Sequence, residues 1–413
     1  MKNLKLIGPI TQALTLDQLP LKGALIDEQL EIIQDAGILL EEGKTLQVGR
    51  LKDLRKEFPQ AEVFELEGNN VVLPGLVDCH THICFGGSRA RDFAMRNAGK
   101  SYLEIAEAGG GIWDTVTQTR ILSLEELAQK TAQNANRHLS EGVTTIEVKS
   151  GYGLSVEEEI KMLKTIAMAG QQTKASLIST CLAAHMKPRD FSGSPKAYLD
   201  YLVSELFPVL KSENLTHRID AFVEKSAFSP EEIIPYFQKA KAMGFDLTVH
   251  ADQFTTGGSQ VAVELGALSA DHLEASGDPE IQLLAKSETI AVALPGASIG
   301  LGCDFTPARK ILDQGGSLAI ASDWNPGSAP MGDLLAQASI LATFQKLSTA
   351  EILAGITYRA AAALGLKDRG KIAPGFLGDL IAFPTSDYRE ILYQQGKMKP
   401  TSVWKSGVLV DKN

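Results

Sequence analysis

The segment Asp78-Cys79-His80-Thr81-His82 places two imidazoles two residues apart, directly after the apolar run Val71–Val77. On an extended strand, residues i and i+2 project from one face, so both rings can reach a single ion. A His-x-His pair alone is weak evidence, but at the end of a strand it calls for partners. Four more polar residues stand at or just past the ends of other apolar runs: His185, His250, His272 and Asp323. Five of the seven histidines thus occupy such positions; His138 and His217 do not, and both read as helix or loop surface residues. His80, His82, His250 and Asp323 offer three imidazoles and one carboxylate, with a position left for water. That donor set suits a catalytic, borderline-to-hard cation. Such an ion lowers the pKa of water from about 15.7 to about 7, which provides a nucleophile for an amide-like carbonyl.

The elements that must carry these residues alternate in type from about residue 68 to 365. Short apolar runs at Val71–Val77, Thr144–Val148, Ser176–Leu182, Ile219–Glu224, Asp246–His250, Leu268–His272, Ile290–Leu294 and Leu318–Ser322 read as buried parallel strands. Helical patterns intervene at Leu124–Leu139, Val156–Ala169, Pro195–Leu210, Pro230–Met243 and Met331–Phe344. Eight strands with intervening helices predict an α/β protein, a (β/α)₈ barrel whose strand C-termini form the active face. The flanks differ. Residues 1–66 read as short strands and turns, and Lys371–Asp379 and Val403–Val410 repeat that style. The expected organisation is a small composite β-domain of 1–66 with 370–413 and a metallohydrolase barrel over 67–369.

Composition narrows the partners. The chain has 413 residues, 44% hydrophobic and 22% charged, with a formal net charge of −10. That balance excludes a general affinity for nucleic acid or anionic membrane, while one buried arginine still allows an anionic substrate. No run reaches the roughly 18 apolar residues of a spanning helix, and the N-terminus lacks a secretory pattern. The four cysteines form no C-x-x-C pair and read as reduced thiols of a cytoplasmic protein. Cys79 alternates with His80 and should point away from the ion.

The motifs LPGLVDCHTH, VHAD, SADH and ASD, in that order, resemble the amidohydrolase superfamily. HTHICFGGSRARDF, VKSGYGL, LAAHMKP, HADQFTTGG and SDWNPGSAPM are similar to its imidazolonepropionase family. The resemblance implies hydrolytic opening of the ring of 4-imidazolone-5-propanoate to N-formimidoyl-L-glutamate, a step of histidine degradation. It implies one zinc or iron ion per chain on His80, His82, His250 and Asp323, with His272 and Asp323 catalytic. Arg89 would meet the substrate carboxylate, with Tyr102 lining the same pocket. Tyr152, His185 and Gln253 would contact the ring, Ser328 would help hold the substrate, and Asn325 and Gly327 would contact the opened product. The family also implies a homodimer.

Some relatives carry Glu where this chain has Gln253, and an amide takes up no proton at neutral pH, so proton transfer would fall to Asp323 and His272. Lys225, near the end of the fourth strand, could bridge a second metal if carbamylated; its alternation with Glu224 points it toward the helices instead. The Gly109-Gly110-Gly111 run lies outside any phosphate-binding frame and reads as a loop at the barrel mouth. Two other functions remain open: another amidohydrolase, such as a nucleobase deaminase or a dihydroorotase-like enzyme, and a non-catalytic barrel used for assembly or binding.

Overall fold

The computed structural model describes residues 4–410, apart from the side chains of Tyr102, Leu103 and Ala106. Eight parallel strands follow one another in chain order around a barrel: β1 (Leu76–Asp78), β2 (Val143–Lys149), β3 (Ser176–Ala184), β4 (Arg218–Val223), β5 (Asp246–Ala251), β6 (Ser269–His272), β7 (Ile290–Ala293) and β8 (Leu318–Ile320). Each pairs with its sequence neighbour. The seam between β8 and β1 closes just beyond their ends, where Thr81 and Trp324 form a parallel bridge.

Helices between the strands start at defined caps. Ser123 and Glu126 form a reciprocal capping box at the head of Leu124–Ser140, and Ser229 and Glu232 do so for Pro230–Ala242. Each box satisfies two otherwise unpaired amide donors and sets where the helix begins. The expected single helix Pro195–Leu210 is broken into Pro195–Tyr201, a wider π turn at Leu202–Leu206, and Phe207–Ser212. The last expected helix starts later, at Leu334, because Asp333 caps it.

A second, mixed sheet joins the two ends of the chain. Leu380–Phe383 lies between Val71–Pro74 and Ser402–Lys405, and Val71–Pro74 in turn pairs with Leu4–Leu14. The expected strand Val71–Val77 is therefore two strands in two sheets. Gly75 makes the break: a Cβ there would lie 2.4 Å from Thr144 Oγ1, so the chain passes β2 too closely for a side chain. The C-terminal strand begins at Leu380 and not within Lys371–Asp379, a stretch whose Pro374 and Gly375 suit a turn. Among the described residues, no helix is long and apolar enough to cross a membrane.

Candidate active site

The barrel seam brings the first and last strand ends together. Asp323 N donates to His80 O at 3.0 Å, His82 N donates to Trp324 O at 2.9 Å, and Ser322 N donates to Asp78 Oδ1 at 3.0 Å. These bonds hold the side chains of His80, His82 and Asp323 over one point. His250 reaches it from the end of β5. His82 Nε2 lies 3.2 Å from His80 Nε2 and 3.4 Å from His250 Nε2; Asp323 Oδ1 lies 3.4 Å from His82 Nε2 and 3.6 Å from His80 Nε2. Ligands arranged tetrahedrally at zinc–nitrogen distances of about 2.0–2.1 Å would stand about 3.4 Å apart.

The protonation pattern fits a cation there. His80 Nδ1 bonds Asp271 Oδ2 at 2.6 Å, which fixes the proton on Nδ1 and leaves Nε2 a bare lone pair. His250 Nδ1 stands 2.9 Å from Asp220 Oδ2 and has the same bias. Burial holds His80 and His82 well below the usual imidazole pKa and brings His250 to about 4, so all three rings are neutral at pH 7. Neutral rings that turn lone pairs on one point repel each other unless a cation sits between them. His80, His82 and His250 form a metal site.

Beneath the histidines, the barrel interior is unusually charged. Lys149 is fully buried, with Nζ 2.8 Å from Glu147 Oε1, 2.8 Å from Asp220 Oδ2 and 3.8 Å from Asp271 Oδ2. Burial opposes its charge, but these carboxylates outweigh that cost and hold its pKa above the ordinary lysine value. Lys149 therefore braces the two aspartates that orient His80 and His250. Sequence reasoning missed it, although a signal was present: Thr145, Glu147 and Lys149 alternate along an otherwise apolar strand and so share its inner face.

His272 and Asp323 break that alternation. Asp271 already faces the interior, so His272 should point outward, yet its backbone lies at φ 85°, a region rare for any residue with a side chain. The twist turns its ring to within 5.3 Å of the His250 ring, centre to centre. Asp323 is likewise at φ 49°. Burial lowers the His272 pKa, but Glu274, 3.5 Å from its Nδ1, and Asp323 reverse the shift and leave it above the ordinary value. Burial raises Asp323 to about 7 in the metal-free chain.

A cavity of about 210 Å³ opens over these groups, lined by Arg89, Tyr152, His185, Gln253, Asn325, Gly327 and Ser328 as well as His82, His250, His272 and Asp323. His185 stacks beside His82 and bonds Gly151 O at 3.0 Å. Glu224, which sequence reasoning passed over, accepts from Phe254 N and Thr255 N at 3.0 Å and so holds the loop carrying Gln253. The Asn325 amide is committed to its own turn: it donates to Asp323 O and accepts from Gly327 N and Ser328 N. Tyr102 opens the helix Tyr102–Glu107, and its side chain lies outside the described residues.

One expectation about the histidines fails. His138 is not a surface residue: it is fully buried, 3.0 Å from Asp78 Oδ2 and edge-on to Trp324. The helix that carries it turns Thr131, Ala135 and His138 inward, one face at helical spacing. His217 is exposed. Lys225 is also exposed, on the turn after β4, and does not line the cavity. Cys79 points into an apolar cluster with Val77 and Val292.

The amidohydrolase family model matches residues 71–410. The imidazolonepropionase of Idiomarina loihiensis is 40% identical over 389 residues, 94% of this chain and 95% of that one. That of Bacillus cytotoxicus is 38% identical over 410 residues, covering 98% and 96%. The chain belongs to the amidohydrolase family, on its imidazolonepropionase branch. Among solved structures, a triazine hydrolase variant (TM-score 0.77, 16% identity, 100% of this chain and 95% of that one) and guanine deaminase from C. acetobutylicum (0.72, 16%, 99% and 100%) share the fold. This imidazolonepropionase homologue is thus a metal-dependent amidohydrolase, with His80, His82 and His250 as its metal site.

Proposed function

We propose that the chain hydrolyses the ring amide of 4-imidazolone-5-propanoate to N-formimidoyl-L-glutamate. The observation that carries this reading is that one small cavity, bordered by two of the three metal-site histidines, is also lined by Arg89. We assign Asp323 as the fourth ligand and place one zinc or iron ion on the set; when bound, that ion supplies Lewis acidity and a nucleophile at neutral pH.

The chain's own residues do the rest. Asp323 accepts the proton of the attacking water and later passes it to the departing ring nitrogen. His272, kept basic by Glu274, donates to the oxyanion that grows as the carbonyl is attacked. The bond that breaks joins that carbonyl carbon to the ring nitrogen, so the carbonyl becomes a carboxylate. Tyr152, His185 and Gln253 orient the ring, Ser328 and Tyr102 border the substrate, and Arg89 takes its carboxylate. Asn325 and Gly327 meet the opened product through their turn. With Gln at position 253, proton transfer belongs to Asp323 and His272.

We infer a cytoplasmic homodimer, in keeping with four free cysteines. The two-part division, 1–66 with 370–413 beside 67–369, rests on the sheet that joins both termini, with Val71–Pro74 as its stitch. The test is a substrate screen of the metal-loaded protein, with imidazolonepropanoate beside guanine, cytosine and dihydroorotate. Turnover of the first alone is expected. Preferential deamination of a nucleobase would replace this reading, and no turnover at full metal loading would leave a binding barrel.

A further inference from the structure

The cationic end of the pocket contains a second arginine that the anchoring role of Arg89 leaves unused. Arg96 lies in the last turn of the helix Ala90–Asn97, and Arg89 is the residue that caps its start. Both arginines line the cavity. Between them in sequence lies Asp92, one turn from each, and its carboxylate is already engaged: Oδ2 accepts from Arg89 Nε at 2.7 Å and from Gly111 N at 2.8 Å.

Arg96 has no ion pair among the described residues. Its Nη2 donates to Gly327 O at 3.1 Å, while its Nε is buried without a partner. The guanidinia are close enough to interact: burial first, and then the charge of Arg89, pushes the Arg96 pKa below the usual value. Two fixed positive charges thus meet one fixed negative charge at a half-buried wall. The carboxylate that lines the cavity, Asp323, belongs to the metal end. An unbalanced cation beside a buried, unpartnered donor is costly in the empty pocket, and an incoming anion relieves it.

The turn that crosses this wall is shaped for the pair. A Cβ on Gly327 would lie 2.6 Å from Arg89 Nη1, so a side chain there would displace the guanidinium. With glycine, the chain presses against Arg89 while its carbonyl takes a hydrogen bond from Arg96.

We propose that Arg96 is a second specificity-determining residue, which clamps the substrate carboxylate jointly with Arg89 and fastens the 325–328 turn beside it. The inference rests on the carboxylate-bearing substrate proposed above. Two donors, one at the cap and one in the last turn of a single short helix, define where the carboxylate must sit, and so how far it stands from the metal site.

The test uses two unreactive ring compounds, imidazole-4-propanoate and 4-propylimidazole, titrated calorimetrically into the metal-loaded protein and its Arg96→Met and Arg96→Lys variants. The wild-type protein should favour the carboxylate compound. In Arg96→Met that preference should fall by about ten- to a hundredfold, the scale of a lost charge-assisted hydrogen bond. Binding of 4-propylimidazole should stay within about twofold, and Arg96→Lys should recover part of the preference. Equal weakening of both compounds would make Arg96 a turn anchor only and overturn the proposal, as would a preference undiminished in Arg96→Met. A wild-type protein without any preference would overturn the carboxylate-bearing substrate as well.

Discussion

The two ends of the pocket are built differently. At the metal end every donor sits at or just past a strand end and is nearly or wholly buried, and two of the imidazoles are braced from below: His80 by Asp271 and His250 by Asp220, with both aspartates held by Lys149. At the arginine end the donors ride on a short helix and a four-residue turn, half exposed to solvent, with Phe93 next to them 48% exposed. The contrast follows from what each end must do. An ion and a proton acceptor lose function when displaced by a fraction of an ångström, so they require rigid elements. A flexible carboxylate tail tolerates more, and recognition can be left to loops.

The largest effect should come from the rigid end. Asp323→Asn removes the proton acceptor while keeping the shape, and kcat should fall by about 10²–10⁴-fold with a much smaller change in KM. Steady-state kinetics with metal content measured per chain would show it; a kcat within tenfold of wild type would move the acid–base role elsewhere.

The next effect asks whether the buried charges truly support that end. Lys149→Met leaves Glu147, Asp220 and Asp271 without their common cation, and uncompensated buried charge costs about 3–5 kcal/mol. Urea unfolding should record that loss, and metal affinity should drop by about 10–100-fold because the bases behind His80 and His250 lose their place. A variant as stable as wild type and equally tight for metal would erase the distinction between a braced end and a loose one.

At the other end, Arg89→Met should raise KM by about ten- to a hundredfold and leave kcat largely intact, the signature of binding lost equally from ground and transition states. An unchanged KM would remove Arg89 from the carboxylate. A collapse of kcat instead would mean that the two ends are mechanically one.

The same contrast governs what the sequence discloses. Strand-end histidines are legible because a strand's period of two and the barrel's active face together state where they must point. The barrel itself follows from short apolar runs at regular spacing. Lys149 and Glu147 were readable by the same rule, but the expectation of an apolar strand hid them. His138 was misread because a helix near its end looks like surface unless the inward stripe is traced back through Ala135 and Thr131. No periodicity foretells the φ 85° twist at His272, since it is imposed by tertiary bonds such as Thr306 Oγ1 to His272 O at 2.5 Å. Arg96 is hardest of all: its role depends on a turn more than two hundred residues away.

The smallest effect is also the sharpest probe of the metal end's electrostatics. In the metal-free chain burial raises Asp323 to about 7, above its unfolded value, so below pH 7 the carboxyl holds a proton that an incoming ion must displace. The three imidazoles, already pushed down, with His250 at about 4, have none to give near neutrality. Metal uptake should therefore release about one proton at pH 6 and about a tenth of one at pH 8. Apparent affinity should weaken by about tenfold per pH unit below 7 and level off above it. Calorimetric titration of the metal in buffers of different ionisation enthalpy measures the release directly. Two or three protons released at pH 6 would mean that the imidazoles are charged in the free chain. The carboxylates beneath them would then serve to hold imidazolium, not to aim lone pairs at an ion.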